Sequence, residues 1–162
     1  MSQKVLITYA TKLGSTTEVA RAIGETISKK GIAVDVLPIK DVAELSGYDA
    51  VIIGSAIRMG SWLPEAVNFV QQNRDQLNKV STRIFSVHIL NQGDSPESQK
   101  ERQAYTAPLH KLISPEDEAF FSGKIDPSQL KFVERLLFKA VKSPNGDFRD
   151  WEKIQNWAAA HV

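Results

Sequence analysis

The sequence predicts a doubly wound α/β fold, a five-stranded parallel sheet with helices on both faces. Three observations lead there. Strand-like and helix-like segments alternate along the chain, with no internal repeat or low-complexity tract between them. Several strand-like runs are apolar at consecutive positions, as strands covered on both faces must be. Pro64, Pro96 and Pro127 stand where helices begin, because a first-turn residue has no intrahelical N–H bond to lose.

The elements follow in order. Val5 to Tyr9 predicts the first strand, and Thr16 to Lys30 the first helix, with Thr16, Ala20, Ile23 and Ile27 recurring on one face. Ile32 to Leu37 and Ala50 to Gly54 predict the second and third strands, and Pro64 to Asn78 the helix after them. Ile84 to Leu90 predicts the fourth strand. Pro96 to Leu112 predicts the helix that follows, with Pro108 expected to end or kink it early. Ala119 to Gly123 predicts the fifth strand, and Pro127 to Lys142 and Phe148 to His161 the last two helices. Trp151, Ile154, Trp157 and Ala158 form one stripe of the final helix, which is expected to pack on the sheet.

Composition sets bounds. At 162 residues, residues 1 to 162 read as one domain large enough to bury a core. With 42% hydrophobic and 24% charged residues, neither disorder nor a membrane span is indicated. The longest apolar run, Ala50 to Ile57, is far short of a bilayer, and the first strand starts too early for a signal peptide. The absence of cysteine excludes disulfides, thiolate ligands and cysteine nucleophiles, and is compatible with the reducing cytoplasm where the protein is expected. A net charge of +1 gives no general attraction for nucleic acid, and none is expected as a partner.

In doubly wound sheets ligands bind at the carboxyl ends of strands, so the loops after the first, third and fourth strands are the candidate site. After the first comes Thr11-Lys-Leu-Gly-Ser-Thr16, a run of hydroxyls around one glycine that opens a helix. Free N–H groups and the helix dipole at such a point suit an anion. The plainer alternative is an ordinary connection with Ser15 or Thr16 as N-cap and Glu18 completing a capping box. A single glycine lacks the three-glycine spacing of a dinucleotide site, which argues against tightly bound NAD.

The loop Thr11, Lys12, Leu13, Gly14, Ser15 and Thr16 resembles the flavodoxin phosphate loop, in which hydroxyls and backbone amides hold the phosphate of FMN. It departs from that pattern at Leu13, which stands where a third hydroxyl is usual. Gly54-Ser-Ala-Ile-Arg-Met-Gly60 occupies the loop that flanks the flavin ring in flavodoxins, with Ile57, Arg58 and Met59 where an aromatic residue is usual. That stretch, Ser86-Val-His-Ile-Leu90, Phe121-Ser-Gly-Lys-Ile-Asp126 and Gly146-Asp-Phe-Arg-Asp-Trp151 together resemble the menaquinone-dependent protoporphyrinogen oxidase group of flavodoxin-like proteins. The resemblance covers nearly the whole chain. It implies a flavodoxin-like fold, bound FMN, and oxidation of a porphyrinogen with electrons passed to a quinone. On this basis the expected cofactor-binding residues are Thr11 to Thr16, then Ser55, Ala56, Ile57, Arg58, Met59 and Gly60, then His88, Ile89, Leu90 and Asn91.

Individual residues carry further expectations. Arg58 is expected to face a ligand, since a guanidinium forks a carboxylate and porphyrinogens carry propionates, with a solvated loop arginine as the alternative. Trp62 reads as core packing for the following helix, which is also the plainer alternative for Met59. His88 reads first as a hydrogen-bonded structural histidine, with a proton relay as the alternative. His110 and His161 have no ligand-like spacing, no carboxylate or histidine cluster points to a metal, and no side chain is expected to act as a strong acid or base. In the segment 127–142, Lys131, Arg135, Lys139 and Lys142 recur on one face beside Phe132, Leu136 and Phe138. This is either a core helix with a solvated basic face or a peripheral contact with an anionic membrane, where a quinone acceptor is dissolved. Two other functions fit a flavin site of this kind. One is an electron carrier that docks on a redox partner protein without a substrate of its own. The other is a flavin-dependent quinone reductase.

Overall fold

The computed structural model describes residues 3–12, 14–89, 95–125 and 146–160. Five strands form a parallel sheet: β1 (Lys4–Ala10), β2 (Ala33–Pro38), β3 (Ala50–Arg58), β5 (Ser81–His88) and β6 (Asp117–Ser122), in the order β2-β1-β3-β5-β6. A short β4 (Ser61–Trp62) runs antiparallel to β3 and widens the sheet. The strand order reverses between β1 and β3, which makes their carboxyl ends the switch point of a doubly wound sheet.

The strands are apolar at consecutive positions because both faces are covered. Val5, Ile7 and Tyr9 of β1 enter one core with Ile52 of β3, Phe85 and Val87 of β5, and Phe121 of β6. That core is closed by α1 (Ser15–Ser28) and α5 (Trp151–Ala160), through Val19, Ala20, Ile23 and Ile27 of α1 and Ile154 and Ala158 of α5. Leu6, Val51, Ile53 and Ile84 point the other way, toward α2 (Pro64–Gln72), α3 (Arg74–Leu77) and α4 (Pro96–His110). Phe85, Phe121 and Trp157 meet at tilted and edge-on angles, with centroids 5.8 to 6.5 Å apart, and the Trp157 indole donates to Asp117 at 2.7 Å.

Five predicted strands and four of the predicted helical segments are present, with informative differences. Pro64 to Asn78 is two helices, because Asn73 turns its amide back onto the carbonyl of Phe69, 2.9 Å away, and adopts φ −108°. The fourth parallel strand starts earlier than predicted, at Ser81, since its pairing with Ala50–Ala56 is made by backbone that side-chain patterning does not report. Pro108 lies inside α4, which continues to His110, two residues short of the predicted end. The final helix starts at Trp151, with Asp150 as its cap: Asp150 Oδ1 accepts from Lys153 N at 3.0 Å. Trp151 is not part of the buried stripe and is 38% exposed. The segments β7 (Lys124–Ile125) and β8 (Gly146–Asp147) pair in a small separate ribbon that sequence patterning did not indicate. The predicted helix 127–142 lies outside the described residues. Among the described residues no helix is long and apolar enough to cross a membrane.

Candidate functional site

The two principal loops at the switch point differ in how their polar groups are used. After β1 the chain turns through Thr11 and Lys12, and Thr11 Oγ1 accepts from Gly14 N at 3.0 Å. Gly14 is the N-cap of α1 and sits at φ +91°, ψ −13°; no side chain caps the helix. The capping-box expectation for Ser15, Thr16 and Glu18 is thereby corrected. With the cap residue in the left-handed region, the hydroxyls after it fall inside the first turn instead of ahead of it. The first N–H groups of α1 consequently have no side-chain acceptor from the cap, and an anion is the natural partner for them. Thr16 is fully buried and its Oγ1 has no hydrogen-bond partner among the described residues. An orphaned buried hydroxyl is costly; Thr8 and Thr106 share that state, and Thr16 differs from them in standing in the first turn of α1.

The loop after β3 is the opposite. β3 continues to Arg58, and the chain reverses through Met59 at φ +54° and Gly60 at φ +76° into β4, so that Ile57 faces Trp62 and Arg58 faces Ser61. Two successive residues with positive φ make the tight hairpin turn that suits the twist of its strands. Glycine accepts this without strain; Met59 does not, and its side chain is 79% exposed. Met59 is therefore a solvent-facing tip, which removes the core-packing alternative for it. Trp62 is 3% exposed as expected, and its indole N–H donates to Ser86 Oγ at 2.8 Å. Ser55 is fully buried: its hydroxyl donates to Ala56 O at 2.8 Å and accepts from Leu63 N at 3.0 Å. That hydroxyl serves the hairpin internally, while Ala56, Ile57 and Arg58 beyond it are half-buried and Gly60 is exposed.

His88 closes β5. It is 4% exposed, with the rings of Tyr105 and Phe120 at 6.0 and 6.4 Å, and its carbonyl accepts from Gly123 N at 2.8 Å. The imidazole is thus enclosed by aromatic rings at the end of the strand. Ile89 follows it, half-buried, whereas Leu13, Leu90 and Asn91 lie outside the described residues.

The loop after β6 carried part of the family resemblance but received no site residue from the sequence. Gly123 is so closely packed that a Cβ there would stand 2.7 Å from Val87 Cγ1 of β5 and 3.3 Å from Ser15 Oγ at the start of α1. Phe148 N donates to Gly123 O at 3.0 Å and brings in Arg149, whose guanidinium grips Asp147 at 2.8 and 2.7 Å and contacts Glu18 of α1. Burial pulls the Arg149 guanidinium below the ordinary arginine pKa. The signal was present in the run Gly146-Asp-Phe-Arg-Asp-Trp151, but nothing in the sequence placed it beside the first helix.

Comparison with known proteins decides the family. The model of the flavodoxin domain matches residues 6–152. The chain belongs to the flavodoxin-domain family. Protoporphyrinogen IX dehydrogenase (quinone) of Escherichia coli K12 is 25% identical to it over 96% of this chain and 92% of that protein. Among solved structures, oxidised flavodoxin 1 from Bacillus cereus superposes with a TM-score of 0.61 at 16% identity, over 99% of both chains. A Fusobacterium nucleatum flavodoxin mutant bound to flavin mononucleotide superposes with a TM-score of 0.54 at 12% identity, over 74% of this chain and 68% of that one. These likenesses establish the α/β flavodoxin-like fold.

Proposed function

We propose that the protein is an FMN-dependent oxidoreductase of the protoporphyrinogen IX dehydrogenase (quinone) type, taking electrons from a porphyrinogen and delivering them to a quinone such as menaquinone. The observation that carries this reading is the likeness to the E. coli dehydrogenase over nearly the full length of both chains.

The residues present fit an FMN phosphate. The helix behind Gly14 has no side-chain cap, and the Thr16 hydroxyl is buried without a partner, so both supply donors that an anion would satisfy. In this reading Thr11 to Thr16 hold the phosphate. Ala56 to Gly60 and His88 to Asn91 flank the ring, with Ser55 fixing the hairpin from beneath. FMN held by these residues would supply the two-electron redox chemistry that links substrate to quinone. The chain's own residues orient and exclude. Arg58, half-buried in the hairpin, is assigned to a propionate of the porphyrinogen, which a guanidinium can fork, and Met59 offers an exposed apolar contact beside it. The basic run Lys131, Arg135, Lys139 and Lys142 is assigned to an anionic membrane surface that brings the quinone within reach.

The test is an anaerobic assay of FMN-loaded protein with protoporphyrinogen and a menaquinone analogue, read by porphyrin fluorescence. Porphyrin formation above the spontaneous background, dependent on the quinone, supports the proposal. Reduction by a partner reductase with no porphyrin formed selects the electron carrier, and quinone reduction driven by a nicotinamide selects the quinone reductase.

A further inference from the structure

We propose that Arg149 is a positioning residue for the phosphate loop: by halving the negative charge of Glu18 and Asp147 it keeps the N-terminus of α1 receptive to a dianionic phosphate. The inference rests on the reading of Thr11 to Thr16 as an FMN-phosphate site.

Glu18 lies in the first turn of α1, where a carboxylate ordinarily gains from the helix dipole. At an anion site the same carboxylate is a liability, since it repels whatever the helix terminus attracts. Arg149 answers it from a distant part of the chain. Its guanidinium contacts Glu18 Oε2, and its side chain is only 9% exposed where that of Glu18 is 53% exposed. The guanidinium is held in place on several sides. Nε and one terminal nitrogen grip the two oxygens of Asp147, the ring of Trp151 lies 4.7 Å away, and Arg149 N donates to Asp147 Oδ1 at 3.1 Å. The segment itself is tied down by Phe148 N on Gly123 O, and Gly123 is in turn against Ser15 of the loop. A guanidinium stays protonated in such a setting, and a buried one is poorly screened by salt. Glu18 and Asp147 contribute two negative charges and Arg149 one positive, so the cluster carries one negative charge in all. Removing Arg149 would double that charge beside the loop, and removing Glu18 would abolish it.

The experiment measures dissociation constants of FMN and riboflavin for the apoprotein by flavin fluorescence, because only FMN carries the phosphate. Arg149→Gln should weaken FMN by about tenfold and leave riboflavin within about twofold. Glu18→Gln should tighten FMN several-fold. The double variant restores the native charge of the cluster and should return the FMN-to-riboflavin ratio to that of the unmodified protein. Arg149→Lys keeps the charge without the fork and should keep the ratio. If Arg149→Gln weakens both flavins equally and the double variant does not recover the ratio, Arg149 merely holds the C-terminal segment and the proposal is overturned. Should Arg149→Gln not fold, Glu18→Gln decides, and an unchanged ratio there overturns it as well. An unmodified protein that binds both flavins equally overturns the phosphate-site reading and this inference with it. A clear preference for FMN that ignores the charges at 18 and 149 overturns this inference alone.

Discussion

The loop after β1 and the hairpin after β3 lie at the ends of neighbouring strands and treat their hydroxyls in opposite ways. Thr16 is buried with no partner, at the head of a helix that has no side-chain cap. Ser55 is equally buried but donates to Ala56 and accepts from Leu63. The first loop holds polar capacity in reserve. The second spends it on its own shape. The contrast separates two kinds of site residue: those whose removal costs the ligand, and those whose removal costs the scaffold that presents it.

Substitutions at the two loops can break that contrast. The largest effect is expected from Ser55→Ala, which leaves the buried N–H of Leu63 without its acceptor. The loss should be about 1–3 kcal/mol of stability, or several degrees in thermal midpoint, with FMN present or absent. An unchanged midpoint in differential scanning fluorimetry would show that the hairpin stands without that hydroxyl.

Thr16→Val should behave in reverse. A methyl of similar shape replaces an unsatisfied hydroxyl, so the apoprotein should be as stable as before or slightly more so. Affinity for FMN should fall by about tenfold, the value of one hydrogen bond to a charged group, while riboflavin affinity holds. Loss of apoprotein stability without loss of FMN affinity would make Thr16 a scaffold residue and erase the difference between the loops.

The smallest effect is expected at the hairpin tip. Met59 holds φ +54° with its side chain in solvent, so Met59→Gly relieves backbone strain at the expense of chain flexibility. The balance should be a gain of at most about 1 kcal/mol, visible as a small rise in the urea midpoint. A fall instead would show that the methionine packs on something the hairpin needs. If turnover drops as stability rises, the strained residue is kept for contact with the substrate.

Much of this was legible early because it depends on local rules. Runs such as Val5 to Tyr9 and Ala50 to Gly54 are apolar without alternation, and that pattern forces burial on both faces. Thr16, Ala20, Ile23 and Ile27 share a helical stripe, and all four are buried. The errors fell where a single residue's backbone state outweighed composition. Gly14 in the left-handed region shifted the cap of α1, and Asn73 divided a helix.

The sequence by itself determined the alternation of strands and helices, the hydroxyl-rich opening of α1, and the loops at which a ligand would be sought. These follow from periodicities of a few residues and from the stereochemistry of proline and glycine, which act over one or two turns of chain. Only the tertiary structure decided which hydroxyl is spent and which is free, and that Gly123 and Arg149 stand beside Ser15 and Glu18. Such pairings join residues far apart in the chain, and no local pattern encodes them. They exist because strand order and sheet packing bring the end of β6 and the start of α5 against the head of α1.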